Sequence, residues 1–203
     1  MLNIILRAVI SLFIIGCLIG IFHKYDLFLC IFLSIYLVYK FYREIKIHSI
    51  NTKVVLLFFG TLLSGFLGVL AELWGIENGY WLYHGLSDNR QFPYWLPLAW
   101  GLTFMFFYQI EESILKKGFI KSFKIKFLMV LLLSATLPTW GEIITIYLGV
   151  WTYTWPLQFF KVPLLAIFLL VAFHTSIFLF FTFICKRFNI YNLVFNNIKN
   201  KHI

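Results

Sequence analysis

The chain has 203 residues, 62% of them hydrophobic, 21% aromatic and only 12% charged, with a mean hydropathy of +0.89. This excludes an ordinary soluble domain and indicates a membrane protein, in which each bilayer crossing takes about 20 residues. The formal charge of +9 suggests nucleic acid at first sight. Basic residues beside apolar spans report topology and anionic lipid headgroups instead, so nucleic acid is not an expected partner.

The first apolar run, about Leu2 to Phe22, carries Arg7 and could pass for a signal peptide. No small-x-small cleavage site follows, and His23-Lys24-Tyr25-Asp26 leads straight into a second span, so the run reads as a retained helix. Ile14-Ile15-Gly16-Cys17 resembles a lipoprotein cleavage box, but Leu18 to Phe22 stay apolar where residues after a lipidated cysteine are usually polar. The second span, about Leu27 to Phe41, ends in a basic stretch holding Lys40, Arg43, Lys46 and Lys53. Further spans are predicted at about Val54 to Trp74, Tyr94 to Ser113, Phe127 to Leu148 and Val162 to Cys185. Asn189 to Ile203 reads as a short cytoplasmic extension without a function of its own.

The expected fold is therefore all-α, with six transmembrane helices. Lys116, Lys117, Lys121, Lys124 and Lys126 follow the fourth helix and Lys186, Arg187, Lys199 and Lys201 the sixth, whereas the other side has only Lys24, Arg90 and Lys161. The positive-inside rule then puts both termini in the cytoplasm of a bacterial inner membrane. Cys17, Cys30 and Cys185 are odd in number, lack CxxC spacing and sit in or at the ends of apolar runs. They suggest neither a disulfide framework nor a zinc site.

The sequence also repeats itself at an offset of seventy. Glu72 matches Glu142, Gly79 matches Gly149, Trp81 matches Trp151, Tyr83 matches Tyr153 and Pro93 matches Pro163. Chance would give roughly one or two identities over such a window, and seldom Trp on Trp, so an internal duplication is expected. Residues 51–120 form the first copy, 121–188 the second, 1–50 an added helix pair without the motif and 189–203 a tail. Two copies crossing in the same sense form a parallel repeat about an axis along the membrane normal, with the acid-bearing loops meeting on the outer side.

Glu72 and Glu142 fall near the C-terminal ends of helices three and five. Apolar surroundings and the negative end of a helix dipole both disfavour a charged carboxylate there, which makes each a candidate proton donor. A glutamate at that depth also reads as a solvated headgroup-level acid or a loop clasp, and the recurrence brings the two readings level. Gly-x-Trp-x-Tyr places two aromatics on one side of an extended segment, where ring faces can stabilise a cation. An interfacial aromatic belt is the competing reading, and it is the one expected for Tyr80, Trp95, Trp100, Trp140 and Trp155.

His174, in the middle of helix six, is a third candidate, with a plain interhelical hydrogen bond as its alternative. Glu111 and Glu112 are expected to pair with Lys116 and Lys117 on the helix surface. Pro93 and Pro163 are expected to start the following helices. Glu77, Asp88, Arg90 and His84 belong to the first outer loop and have no counterpart in the second copy. No phosphate loop, HExxH, DDxxD or Ser/His/Asp arrangement is present, so nucleotide hydrolysis, metalloprotease action, prenyl transfer and serine hydrolysis are not expected, and neither a cofactor nor a metal is expected.

The pattern Glu-x6-Gly-x-Trp-x-Tyr-x9-Pro, at Glu72 to Pro93 and Glu142 to Pro163, resembles the small integral-membrane carotenoid-modifying proteins. These include the bisanhydrobacterioruberin hydratase type and the lycopene cyclase domain of the heterodimeric kind, and the resemblance covers about residues 51–186. It implies that an acid protonates a polyene double bond and that water or a second double bond captures the cation. Glu72 and Glu142 would be the acids, with Trp81, Tyr83, Trp151 and Tyr153 lining the site. The cyclase type tends to carry Pro-x-Glu-Glu, whereas Tyr94-Trp95-Leu96 follows Pro93 and Leu164-Leu165-Ala166 follows Pro163, so hydration is the nearer expectation. With His174 added to the substrate-binding set, the expected partner is an isoprenoid or another long membrane lipid. The alternative is a non-catalytic membrane protein, either a small transporter or a partner subunit of a membrane complex.

Overall fold

The computed structural model describes residues 1–86, 90–120 and 122–196. Asp88 of the outer loop, Lys121 and the end of the tail lie outside the described residues. Six helices carry the fold: α1 (Leu2–Phe22), α2 (Asp26–His48), α3 (Thr52–Glu77), α4 (Leu96–Leu115), α5 (Phe123–Tyr147) and α6 (Leu164–Arg187). Four of them, α1, α3, α5 and α6, are long and apolar enough to cross a membrane. The other two, α2 and α4, carry polar groups within their length: Lys40 and Glu44 on α2, Gln109 and Glu111 on α4.

The acid-bearing helices α3 and α5 begin and end alike. Each opens on a polar cap, Asn51 accepting from the Val54 N–H and Ser122 from the Ile125 N–H, which satisfies one otherwise orphaned donor. Each closes on a glycine with positive φ, Gly79 at 70° and Gly149 at 76°, where a side chain would be strained. The Gly79 and Gly149 N–H groups donate to the carbonyls of Ile76 and Ile146, and those of Tyr80 and Val150 reach back to Gly75 and Thr145. The chain then turns directly into a strand, β1 (Trp81–Tyr83) after α3 and β2 (Trp151–Tyr153) after α5. These strands pair antiparallel, Trp81 opposite Tyr153 and Tyr83 opposite Trp151. A second short ladder, β3 (Gln158–Phe159) with β4 (Val162–Pro163), leads into α6, whose N-cap is Pro163. Pro93 does not itself start α4; it lies three residues earlier and its carbonyl accepts from the Leu96 N–H.

The tightest packing, α3 on α4, runs along a stripe of small residues. A Cβ on Gly60 would come within 2.0 Å of the Phe104 ring, one on Gly65 within 2.8 Å of the Pro97 carbonyl, and one on Gly68 within 2.2 Å of Trp100. Without side chains at these points the two backbones approach closely, which is how helices gain contact in a lipid-like setting. Gly16 and Gly20 do the same for α1 against Ile144 of α5 and Leu148, the residue that caps it.

Helices α1 and α2, which carry no copy of the motif, are packed into the bundle: α1 lies chiefly on α5, and α2 reaches both α3 and α4. Two expectations change here. The chain after α6 is no solvated extension over its described part, because Val194 and Phe195 are buried against Tyr108, Phe178 and Phe181. Asn192 donates to the Tyr108 hydroxyl, and the fully buried Lys126 donates to the Leu193 and Asn196 carbonyls. Glu111 is also buried, at 5% exposure, while Glu112 makes the expected pairing with Lys116 and a further, unforeseen one with Lys53.

Candidate functional site

Glu72 and Glu142 each lie about a turn and a half before the end of their helix, so their side chains meet the strand that follows. The Trp81 indole donates to Glu72 Oε2 at 2.8 Å, and the Trp151 indole to Glu142 Oε2 at 3.1 Å. The Gly-x-Trp spacing thus has a local cause. The helix ends in a left-handed glycine, and the second residue after it points back over the last turn onto the acid. Gly75 leaves room for this, since its Cβ would stand 1.9 Å from the Trp81 ring.

The two acids are then finished differently. Glu72 takes a second indole, Trp100 of α4, on Oε1 at 3.2 Å, and interacts with the Tyr83 phenol. Glu142 takes the Tyr153 hydroxyl at 2.7 Å on the same Oε2 that holds Trp151. Both oxygens of Glu72 therefore accept, whereas Oε1 of Glu142 accepts nothing among the described residues. Burial first, and then the neighbouring glutamates, hold both phenols well above the ordinary tyrosine range, so Tyr83 and Tyr153 stay protonated donors.

The ladder joins the two halves. Trp81 packs edge-on against Tyr153, with ring centroids 5.6 Å apart, and Tyr83 tilts against Trp151 at 5.5 Å. Glu72 and Glu142 consequently open into one cavity of about 420 Å³, within the range of sites that hold drug-sized ligands. Tyr83, Trp151 and His174 share its wall, while Trp81 and Tyr153 stand behind the acids as donors. From this end the cavity runs along α4 from Trp95 to Phe107 and along α2 from Leu29 to Lys40, a rise of about 16 Å on α2. Leu, Ile and Phe make most of the wall. Ser11, Ile14 and Phe32 are wall residues exposed on the outer surface, so the cavity opens sideways between α1 and α2.

Trp95 and Trp100 are not interfacial belt residues as expected. Trp95 is 2% exposed, packs on Tyr83 and lines the cavity, and Trp100 bonds Glu72. They have no partners at the repeat offset, where Leu165 and Leu170 stand, so the duplication could not mark them; their position at the start of α4, directly after the motif, was the available signal. His174 lies between the Phe107 ring at 4.4 Å and Trp100 at 6.2 Å, and no group bonds its Nε2 among the described residues. Of the unmatched loop residues, Arg90 pairs with Asp26, which also accepts the Tyr94 N–H; this pins the outer loop to the start of α2. His84 meets Thr152 across the ladder. Among the described residues no cluster of three or more His, Cys, Asp or Glu is placed to hold a metal ion.

No protein-family model, curated protein or solved structure matches this chain.

Proposed function

We propose that the protein binds an isoprenoid or other chain lipid in this cavity and performs acid-initiated chemistry on a carbon–carbon double bond. The single observation behind this reading is that two hydrogen-bonded glutamates open into one long, apolar, laterally open cavity. Glu142 is the proton donor, because its Oε1 is the carboxyl oxygen left unbonded. The proton moves from Glu142 Oε1 to one carbon of the double bond, the other carbon becomes cationic, and water adds there and returns a proton to Glu142. Glu72, with donors on both oxygens, acts as the carboxylate that stabilises the cation, and the Tyr83, Trp95 and Trp151 rings flank it.

All six helices cross the inner membrane, with both termini cytoplasmic. Helices α2 and α4, at 23 and 20 residues, reach about 35 and 30 Å, and their polar groups bond one another rather than lipid, Lys40 to Gln109 and Gln109 to Glu44. The matched caps, glycines and Trp–Glu bonds support a duplicated α3–β1–α4 and α5–β2–α6 unit. A chain longer than the cavity leaves through the gap between α1 and α2, directly into surrounding lipid. The wall weighs against a small-ion transporter, since between its two ends it offers few polar side chains.

The test is conversion of an acyclic conjugated polyene in membranes containing the protein, with products followed by mass for the gain of one water. Glu142→Gln should abolish conversion, and Glu72→Gln should slow it by roughly 10²–10⁴-fold, the scale of a lost charge-stabilising group or general acid. Unchanged turnover in both variants would remove the mechanism.

A further inference from the structure

The acids occupy one end of the cavity; the other is closed by a cation. Lys40 lines the cavity wall one turn from Tyr36. Because α2 continues to His48 instead of stopping near Phe41, Lys40 sits about two turns inside the helix rather than at its edge. Its half-buried ammonium leans back along the helix: Nζ lies 5.8 Å from the centre of the Tyr36 ring, on the turn toward the acids, as helical side chains lean toward the helix N-terminus.

What holds Lys40 is neutral. Nζ donates to Gln109 Oε1 at 2.7 Å, and the Gln109 amide is fixed by donating to Glu44 Oε1 at 3.1 Å. The nearby carboxylates are engaged elsewhere, Glu44 with Lys53 at 3.1 Å and Glu112 with Lys53 and Lys116. Among the described residues no carboxylate lies within ion-pair distance of Lys40. An ammonium in an apolar wall with donors to spare and no direct ion pair, Glu44 acting on it only from beyond pairing distance, is costly, and groups so placed usually meet a ligand or a transported charge.

We propose that the natural ligand is amphiphilic, a chain lipid ending in a carboxylate that docks on Lys40. This rests on the cavity being the lipid site. One ammonium and the Tyr36 hydroxyl suit the two oxygens of a carboxylate. A diphosphate would leave most of its charge uncompensated against Leu and Phe, with Glu44 behind Lys40. The docked end sets the register of the chain: Lys40 and the acids stand at opposite ends of a wall that rises about 16 Å along α2 from Leu29 to Lys40, so the double bond offered to Glu142 lies toward the far end, and shorter chains fall short of it.

The experiment uses the full-length protein in lipid nanodiscs and parinaric acid, a conjugated fatty acid that accepts energy from the cavity tryptophans, beside its methyl ester. Signal from protein-free nanodiscs is subtracted. The acid should bind about tenfold more tightly than the ester. Lys40→Met and Lys40→Gln should bring the acid to the ester's affinity with the ester within about twofold of wild type, and Lys40→Arg should keep the preference. Equal affinity of acid and ester for the unmodified protein overturns the proposal without a variant, and so does a preference that survives Lys40→Met. Failure of both probes to bind removes the cavity reading as well. Absence of polyene conversion by the unmodified protein, with the acid preference intact and lost in Lys40→Met, would strike only the acid chemistry and leave the docking of the carboxylate standing.

Discussion

Gly75→Ala pits two effects of opposite sign against each other. In a helix, Ala is favoured over Gly by about 1 kcal/mol, so on propensity alone the substitution stabilises α3. The new Cβ, however, would stand 1.9 Å from two carbons of the Trp81 indole, where contact is normally about 3.5–4.0 Å. The ring would have to retreat by about 1.5 Å or more. Although half-buried, it is held on two sides, packed against Tyr153 at 5.6 Å and bonded to Glu72 at 2.8 Å. A retreat of that size breaks the bond to Glu72, a net loss of about 1 kcal/mol, and overpacking adds about 1–3 kcal/mol. Packing therefore wins, and the variant should be less stable by about 1–3 kcal/mol, or roughly 2–10 °C in Tm for a chain of this length. Gly141→Ala is the matched control, because nothing lies within 4 Å of its Cβ; it should hold or gain stability. Thermal unfolding in one detergent, read by tryptophan fluorescence, makes the comparison. If Gly75→Ala melts at or above the parent temperature, the account of how the indole is seated on the acid is wrong.

Three other outcomes follow from the geometry. Gly149→Ala forces a side chain into φ 76° with open space around it, so it should cost about 1–2 kcal/mol through backbone strain alone, and Gly149→Asn should recover much of that in the same melt. Deleting the chain from residue 189 onward leaves the buried Lys126 ammonium without its two carbonyl acceptors; the loss should be about 3 kcal/mol or more, and Lys126→Met in the shortened chain should restore part of it, as read by Tm. Trp100→Phe keeps the ring on Gly68 but removes one donor from Glu72. It should lower polyene conversion while changing Tm by no more than the equivalent of about 1 kcal/mol, and unaltered conversion would free Glu72 from dependence on α4.

Much of this arrangement could be read in the residues because it is local. Hydropathy placed six helical segments where the structure has six helices, and the matched Glu, Gly, Trp and Tyr positions singled out the two segments that meet, although not that they would pair as a ladder. The parts that escaped are those set by rotation about a helix or by contact between distant segments. Glu111 and Glu112 are adjacent in sequence, yet about 100° of helical turn separates a buried acid from one bridging two lysines. Trp100 reaches Glu72 across the α3–α4 seam, a contact that depends on Gly68 and that no short motif encodes. Helix α1 and the first half of α2 are apolar on nearly every side, so nothing in their pattern announces that they wall the cavity. The tail reads as a cytoplasmic extension; over its described residues it is held in by Ile190, Asn192, Leu193, Val194 and Phe195.

The β1–β2 ladder has a consequence for biogenesis. Its strands lie some seventy residues apart, so β1 emerges with its backbone unpaired and waits while the next two helices are made. At about 5–20 residues per second that delay is roughly 4–14 s. Until then Trp81 has no Tyr153 to lie against, and the first acid has no finished chamber. Assembly of the reactive end is thus timed by translation: a pause or rare-codon cluster in the stretch encoding α4 and α5 would lengthen the life of a half-built protein with an open strand edge.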